Sequence, residues 1–182
     1  MKKNIPQICY LGLVLLMVSC VKDLDFDQSK GFEFKPMYTA TLMYFDLNQT
    51  AFVFQNTEVL EVSDTLAFSL LNNKTMQNQL EKVEILFKVE NQFNRDFKIE
   101  LDFLDNQDKV VQQIDPIEVP GNATNYEQRF TINIANSPEF LTSTKLKVSI
   151  QLKPSSDGSI LDITDQKVLS FKSGADFYLK IQ

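Results

Sequence analysis

Val83-Glu84-Ile85-Leu86-Phe87-Lys88-Val89-Glu90-Asn91, followed by Phe97-Lys98-Ile99-Glu100-Leu101-Asp102-Phe103, decides the fold class. Val83, Ile85, Phe87 and Val89 alternate with Glu84, Leu86, Lys88 and Glu90, the period of a strand with one buried face. Phe97, Ile99, Leu101 and Phe103 repeat it. The polar stretch Asn91 to Asp96 between them predicts two arms of a hairpin. Working outward, Asp105-Asn106-Gln107-Asp108 is a turn into Val110-Val111-Gln112-Gln113-Ile114, and Pro120-Gly121-Asn122 punctuates the chain before Tyr126, Gln128, Phe130, Ile132 and Ile134. Leu146, Val148, Ile150 and Leu152 alternate with lysines and polar residues. Beyond Pro154-Ser155-Ser156-Asp157-Gly158, two separate strands are expected at 167–172 and 175–181. Upstream, Tyr38, Ala40, Leu42 and Tyr44 should share one face of a strand, with Met37, Met43 and Phe45 on the other. One helical turn is expected at Pro138–Leu141, with Ser137 as its N-cap. Residues 66–80 read either way.

Short strands between turn signals predict an all-β fold, an antiparallel β-sandwich of about seven to nine strands in one domain, residues 32–182. The pair 83–91 and 97–102 resembles the paired strands of immunoglobulin-like accessory domains. The step Val89-Glu90-Asn91 is similar to one that closes a strand in bacterial late-embryogenesis-type sandwiches. The resemblance implies an immunoglobulin-like connectivity.

The N-terminus speaks to location. Lys2 and Lys3 precede an apolar run, Ile8 to Val18, too short for a permanent membrane span, so residues 1–19 read as a signal peptide. Met17-Val18-Ser19-Cys20 resembles the bacterial lipobox, with Met17 where Leu is usual, which implies lipidation at Cys20. Several acyl chains on one Cys meet the requirement for stable anchoring. Lys22, Asp23 and Asp25 then resemble the surface-export signal of Bacteroidetes lipoproteins, although Leu24 splits the acids. Residues 20–31 are expected to act as an acidic tether, reaching roughly 40 Å if fully extended. Together these features resemble Bacteroidetes outer-membrane lipoproteins and imply an outer-membrane location, with exposure at the cell surface as one outcome.

Composition narrows the chemistry. The 182 residues contain no His and no Trp, and of the two Cys, Cys9 lies in the leader. His-based triads, His-ligated zinc and a thiol pair are therefore excluded from the processed chain. Two of the 18 basic residues leave with the leader, and 16 against 24 acidic ones give a formal charge of −8. With no basic run, the footprint of a nucleic-acid binder is missing. No cofactor or metal is expected, and the chain reads as a non-enzyme.

Three constellations remain. Tyr38, Tyr44, Phe45, Phe52 and Phe54 form an aromatic concentration, either an exposed face for a glycan or protein partner or a central strand packed on both sides. Asp102, Asp105 and Asp108, and Asp157, Asp162 and Asp165, cluster around two turns. Neither set has EF-hand register, and both suit turn formation. An Asp/Glu glycosidase pair drawn from them is the enzymatic alternative, behind a glycan-binding module. Asp64-Thr65-Leu66 resembles the Asp-Thr-aliphatic acceptor of Bacteroidetes O-glycosylation, which implies a glycan on Thr65. The leading expectation is a lipid-anchored binding or structural accessory.

Overall fold

The computed structural model describes residues 35–181. The leader, Cys20, Lys22, Asp23, Asp25 and the whole tether lie outside the described residues. Among the described residues ten strands form: β1 (Met37–Asn48), β2 (Val53–Phe54), β3 (Thr57–Glu58), β4 (Glu61–Ala67), β5 (Leu80–Asn91), β6 (Phe97–Leu104), β7 (Val110–Val119), β8 (Tyr126–Asn133), β9 (Lys145–Leu152) and β10 (Val168–Leu179). They make two four-stranded antiparallel sheets, β1-β10-β5-β8 and β4-β9-β6-β7, plus the small hairpin β2-β3. The antiparallel sandwich is as expected. The eight long strands fall within the expected seven to nine, and the count reaches ten through β2 and β3, two residues each and too short for any periodicity to show.

The connectivity differs from an immunoglobulin-like one. Among the eight long strands the first pairs with the last (β1 with β10), the second with the seventh (β4 with β9), the third with the sixth (β5 with β8), and the fourth with the fifth (β6 with β7). This is one long antiparallel ribbon, turned at Asp105–Asp108 and rolled so that alternate pairs fall in opposite sheets, the connectivity of a jelly roll. It follows that β5 and β6 are not hairpin arms. The chain crosses between sheets at residues 92–96, and Phe93, fully buried there, is part of the core rather than of a solvated turn. Asn91 makes the crossing tight: its Nδ2 donates to the carbonyls of Arg95 and Pro120, both at 2.8 Å, and its Oδ1 accepts from Phe93 N at 3.0 Å.

Three aromatic groups fill the core. Phe52, Phe93 and Phe97 close one end, with ring centroids 5.2 to 6.3 Å apart. Phe68, Phe103 and Phe140 close the other, and Phe45, Phe87, Phe130 and Phe171 run across the first sheet. The expected strands at 167–172 and 175–181 are one strand. Leu169, Phe171, Ser173, Ala175, Phe177 and Leu179 all point inward, and the small Ser173 and Ala175 hide that unbroken alternation. Pro138–Thr142 is a 3₁₀ turn as expected, but the Ser137 side chain makes no capping bond. The ambiguous segment holds a 3₁₀ turn at Leu70–Asn72 and a six-residue helix, α1 (Lys74–Gln79), capped by Asn73 Oδ1, which accepts from Thr75 N at 2.8 Å.

Candidate functional site

The aromatic concentration is dispersed by one bulge. Register along β1 shifts between Thr41 and Met43, and an inserted residue reverses which face the following side chains take. Tyr38 and Ala40, opposite Phe177 and Ala175, are therefore in phase with Met43, Phe45 and Leu47, although Tyr38 at the strand's start stays 55% exposed, whereas Tyr44 turns outward opposite Lys172. Strict alternation assigned Tyr38 and Tyr44 to one face because it did not include the bulge. Nor is β1 a central strand packed on both sides, since it is the edge of its sheet. Phe52 is fully buried in the end cluster and cannot belong to an exposed face, Phe45 stacks on Phe171 at 4.9 Å, and Phe54 stands 66% exposed on β2.

The edge position of β1 opens a concavity. β4 is the edge of the second sheet, and the two edges lie on the same flank of the sandwich. Directly opposite residues of an antiparallel pair share a face, so Val62, Asp64 and Leu66, opposite Ile150, Val148 and Leu146, point inward from β4. With Met43, Phe45 and Leu47 of β1 they line a cleft of about 360 Å³, floored by Val148 and Ile150. Leu66 remains 38% exposed in the rim. Asp64, an exposed residue, lines the mostly apolar cleft together with Ser63, and its Oδ1 accepts a hydrogen bond from Thr65 N at 2.7 Å. Among the described residues it has no cationic partner. Thr65, next in sequence, projects from the opposite face, exposed and across from Lys147.

Tyr44, which also borders the cleft, lines a smaller groove of about 210 Å³ on the outer face of the first sheet, with Lys88, Glu90, Asn125, Ser170 and Lys172. Its hydroxyl donates to Asp46 Oδ2 at 2.5 Å, and Ser170 Oγ donates to Asp46 Oδ1 at 2.6 Å. These two bonds hold the Asp46 carboxyl below the usual range, the Ser170 bond most strongly, while the Asp46 bond raises the Tyr44 hydroxyl. The Lys172 ammonium lies 5.5 Å from the Tyr44 ring centroid.

The carboxylate clusters act locally. Asp105 Oδ1 accepts from the backbone N–H of Gln107 and Lys109, at 2.8 and 3.0 Å, and shapes the β6-β7 turn. Asp108 pairs with Lys145 at 2.6 Å. Asp157 accepts from Ser155 and Ser159, which pull its carboxyl far down, and Asp162 accepts from Thr164. Among the described residues no three acids or thiols come close enough together to hold a metal ion.

Sequence reasoning missed the cleft because it depends on which strands are edges. Its one legible sign was Asp64 at an inward position of an otherwise alternating strand.

No protein-family model matches the chain, and no curated protein matches it. Among solved structures it is similar to a "putative secreted protein" of Parabacteroides distasonis at 17% identity and a TM-score of 0.48, over 64% of this chain and 38% of that one. The infectious bursal disease virus VP2 subviral particle gives 12% identity and a TM-score of 0.41, over 81% and 33% of the two chains. A protein of the disulfide-linked pili of Bacillus endospore appendages gives 9% and 0.35, over 80% and 91%. The chain thus spans less than two fifths of the length of the first two of these structures.

Proposed function

We propose that the protein is a non-catalytic accessory of the bacterial outer membrane, anchored by lipid at Cys20, whose sandwich binds a partner along the flank between β1 and β4. The anchor rests on the Met17–Cys20 motif and the apolar leader before it. The binding role rests on one observation, the apolar cleft between two strand edges. Large apolar concavities on a folded surface mark sites of interaction. Surface exposure through Lys22, Asp23 and Asp25 is the finer part of the same reading.

The test uses cells expressing the native chain and a Cys20→Ala variant. A clickable fatty acid should label the first and not the second, and protease added to intact cells should remove the native form if it faces outward. A photo-crosslinking residue at position 66, in the cleft rim, should yield a discrete adduct in native membranes, and the same residue at position 65, on the outer face, should not. Equal adducts from both positions, or none from 66, would overturn the binding role. A glycan-binding reading is favoured by a different observation, the exposed Tyr44 beside the polar groove of the first sheet. Loss of binding to a glycan array in Tyr44→Ala, with the 66 adduct unchanged, would select it.

A further inference from the structure

The flank that binds a partner in the reading above carries more information than its apolar character, and this inference rests on that reading. We propose that the cleft receives an extended strand of another polypeptide, whose inward side chains are apolar except for one Lys or Arg set against Asp64.

The shape of the occupant follows from the walls. Among the described residues β1 pairs only with β10, and β4 only with β9, so each strand has one outer edge without a strand partner. Unpaired edges are templates for an incoming strand. Met43, Phe45 and Leu47 recur at every second position of β1, as do Val62, Asp64 and Leu66 of β4. Both walls therefore repeat about every 6.6 Å, the interval at which a strand presents side chains to one face. A helix or a compact ligand would not match this repeat on both walls.

The charge of the occupant follows from Asp64. It lies between Val62 and Leu66 and faces the same interior as Val148. Inward-pointing charges on edge strands discourage indiscriminate strand addition, because covering such a group leaves a desolvated charge without a partner. A strand bringing a cation offsets that penalty. The same carboxylate thus rejects purely apolar strands and admits basic ones. A second copy of this flank is a poor occupant, since neither β1 nor β4 contains a Lys or Arg. The formal −8 of the processed chain points the same way, toward a basic partner and against self-pairing.

The experiment titrates the full-length protein, in detergent, with two fluorescent synthetic peptides of alternating valine and threonine, one with lysine and one with glutamate at the central valine position. The lysine peptide should bind saturably and the glutamate peptide about tenfold more weakly, the effect of one charge-assisted contact. Asp64→Asn should remove most of that preference and Asp64→Lys should reverse it, with cooperative thermal unfolding showing that each variant is folded. Amide exchange should slow in Met43–Asn48 or Glu61–Ala67 on binding. No saturable binding of either peptide, or the same preference in wild type and Asp64→Lys, overturns the proposal. If Asp64→Val self-associates while neither peptide binds the wild type, Asp64 is only a guard on the edge, and the proposal also fails. A position-66 adduct obtained together with peptide failure would leave the flank as a binding surface and remove the strand as its occupant. Absence of both would remove both.

Discussion

Arg95 is the one buried cation among the described residues, and its surroundings explain how an irregular part of the chain is fixed. Its Nη1 and Nη2 donate to Glu58 Oε1 and Oε2, each at 3.2 Å, while Nε donates to the Lys153 carbonyl at 2.9 Å and Nη1 to the Ser159 carbonyl at 3.2 Å. Glu58 Oε1 also accepts from Leu161 N at 2.9 Å. One guanidinium thereby joins β3, the crossing at 92–96 and the long connection after β9. Removing one member of such a pair strands the other charge, so Arg95→Met should cost about 3–5 kcal/mol in urea unfolding. The Arg95→Met/Glu58→Gln double variant should lose less than the sum of the two single losses. A surface group behaves differently. Glu84 accepts from Lys82 Nζ at 2.7 Å and from the Tyr178 hydroxyl at 3.0 Å, and the Lys82 bond above all lowers its pKa. A carboxylate that is more acidic when folded stabilises the fold above its unfolded pKa, about 4.3, and the contribution is lost as pH falls through the lower folded value. Glu84→Gln should therefore be less stable than wild type at neutral pH, and the two should converge in acid. Thermal melts across the pH range check this, and a constant difference would contradict it.

At the scale of elements, alternation located most long strands of the core, missing β4, whose inward row is interrupted by Asp64, and dividing β10 in two, because an inward face of Val, Ile, Leu and Phe leaves a period of two wherever a strand has one wet side. It did not locate partners. Nothing in residues 83–103 distinguishes a hairpin from a crossing between sheets, and the difference lies in Phe93 and Asn91, whose roles depend on what packs over them. The β1 bulge was hidden for a related reason, since Leu42, the residue added there, is as apolar as its neighbours. The cleft inherited both gaps, being defined by two edges and a change of phase. Charge, by contrast, carried some pairing information. Lys145 and Lys147 of β9 and Glu100 and Asp102 of β6 are opposite in sign, and the two strands are neighbours, with Asp102 directly across from Lys147 on the outer face. Asp102→Lys or Lys147→Asp places like charges across the pair, and each should cost about 0.2–1 kcal/mol. The double reversal should recover most of that loss. Strict additivity of the two single effects in denaturant unfolding would mean that the facing pair contributes nothing.

For the whole molecule, the rolled ribbon makes the two ends of the described residues immediate neighbours. Met37 lies across from Tyr178, and Leu179 N donates to the Pro36 carbonyl at 2.9 Å. Folding must close nearly the whole domain before that pairing contributes, and the entropy of closure makes such topologies slow. Joining residue 181 to residue 35 through a short glycine-serine linker makes this contact local. The chain then needs a new opening, and Gly158 is suited to it: it sits in the connection between β9 and β10 at φ 75°, and a Cβ built on it meets nothing within 4 Å. A permutant opened there should unfold cooperatively near the parent temperature and refold faster, because the longest closure has been removed. One opened between Glu84 and Ile85 should not fold, since β5 pairs on both sides, with β10 and with β8. Unfolding and stopped-flow refolding of both permutants test the argument. If the two behave alike, or the Gly158 form refolds no faster than the parent, then closure of the β1-β10 pair does not limit folding and another pairing in the roll must.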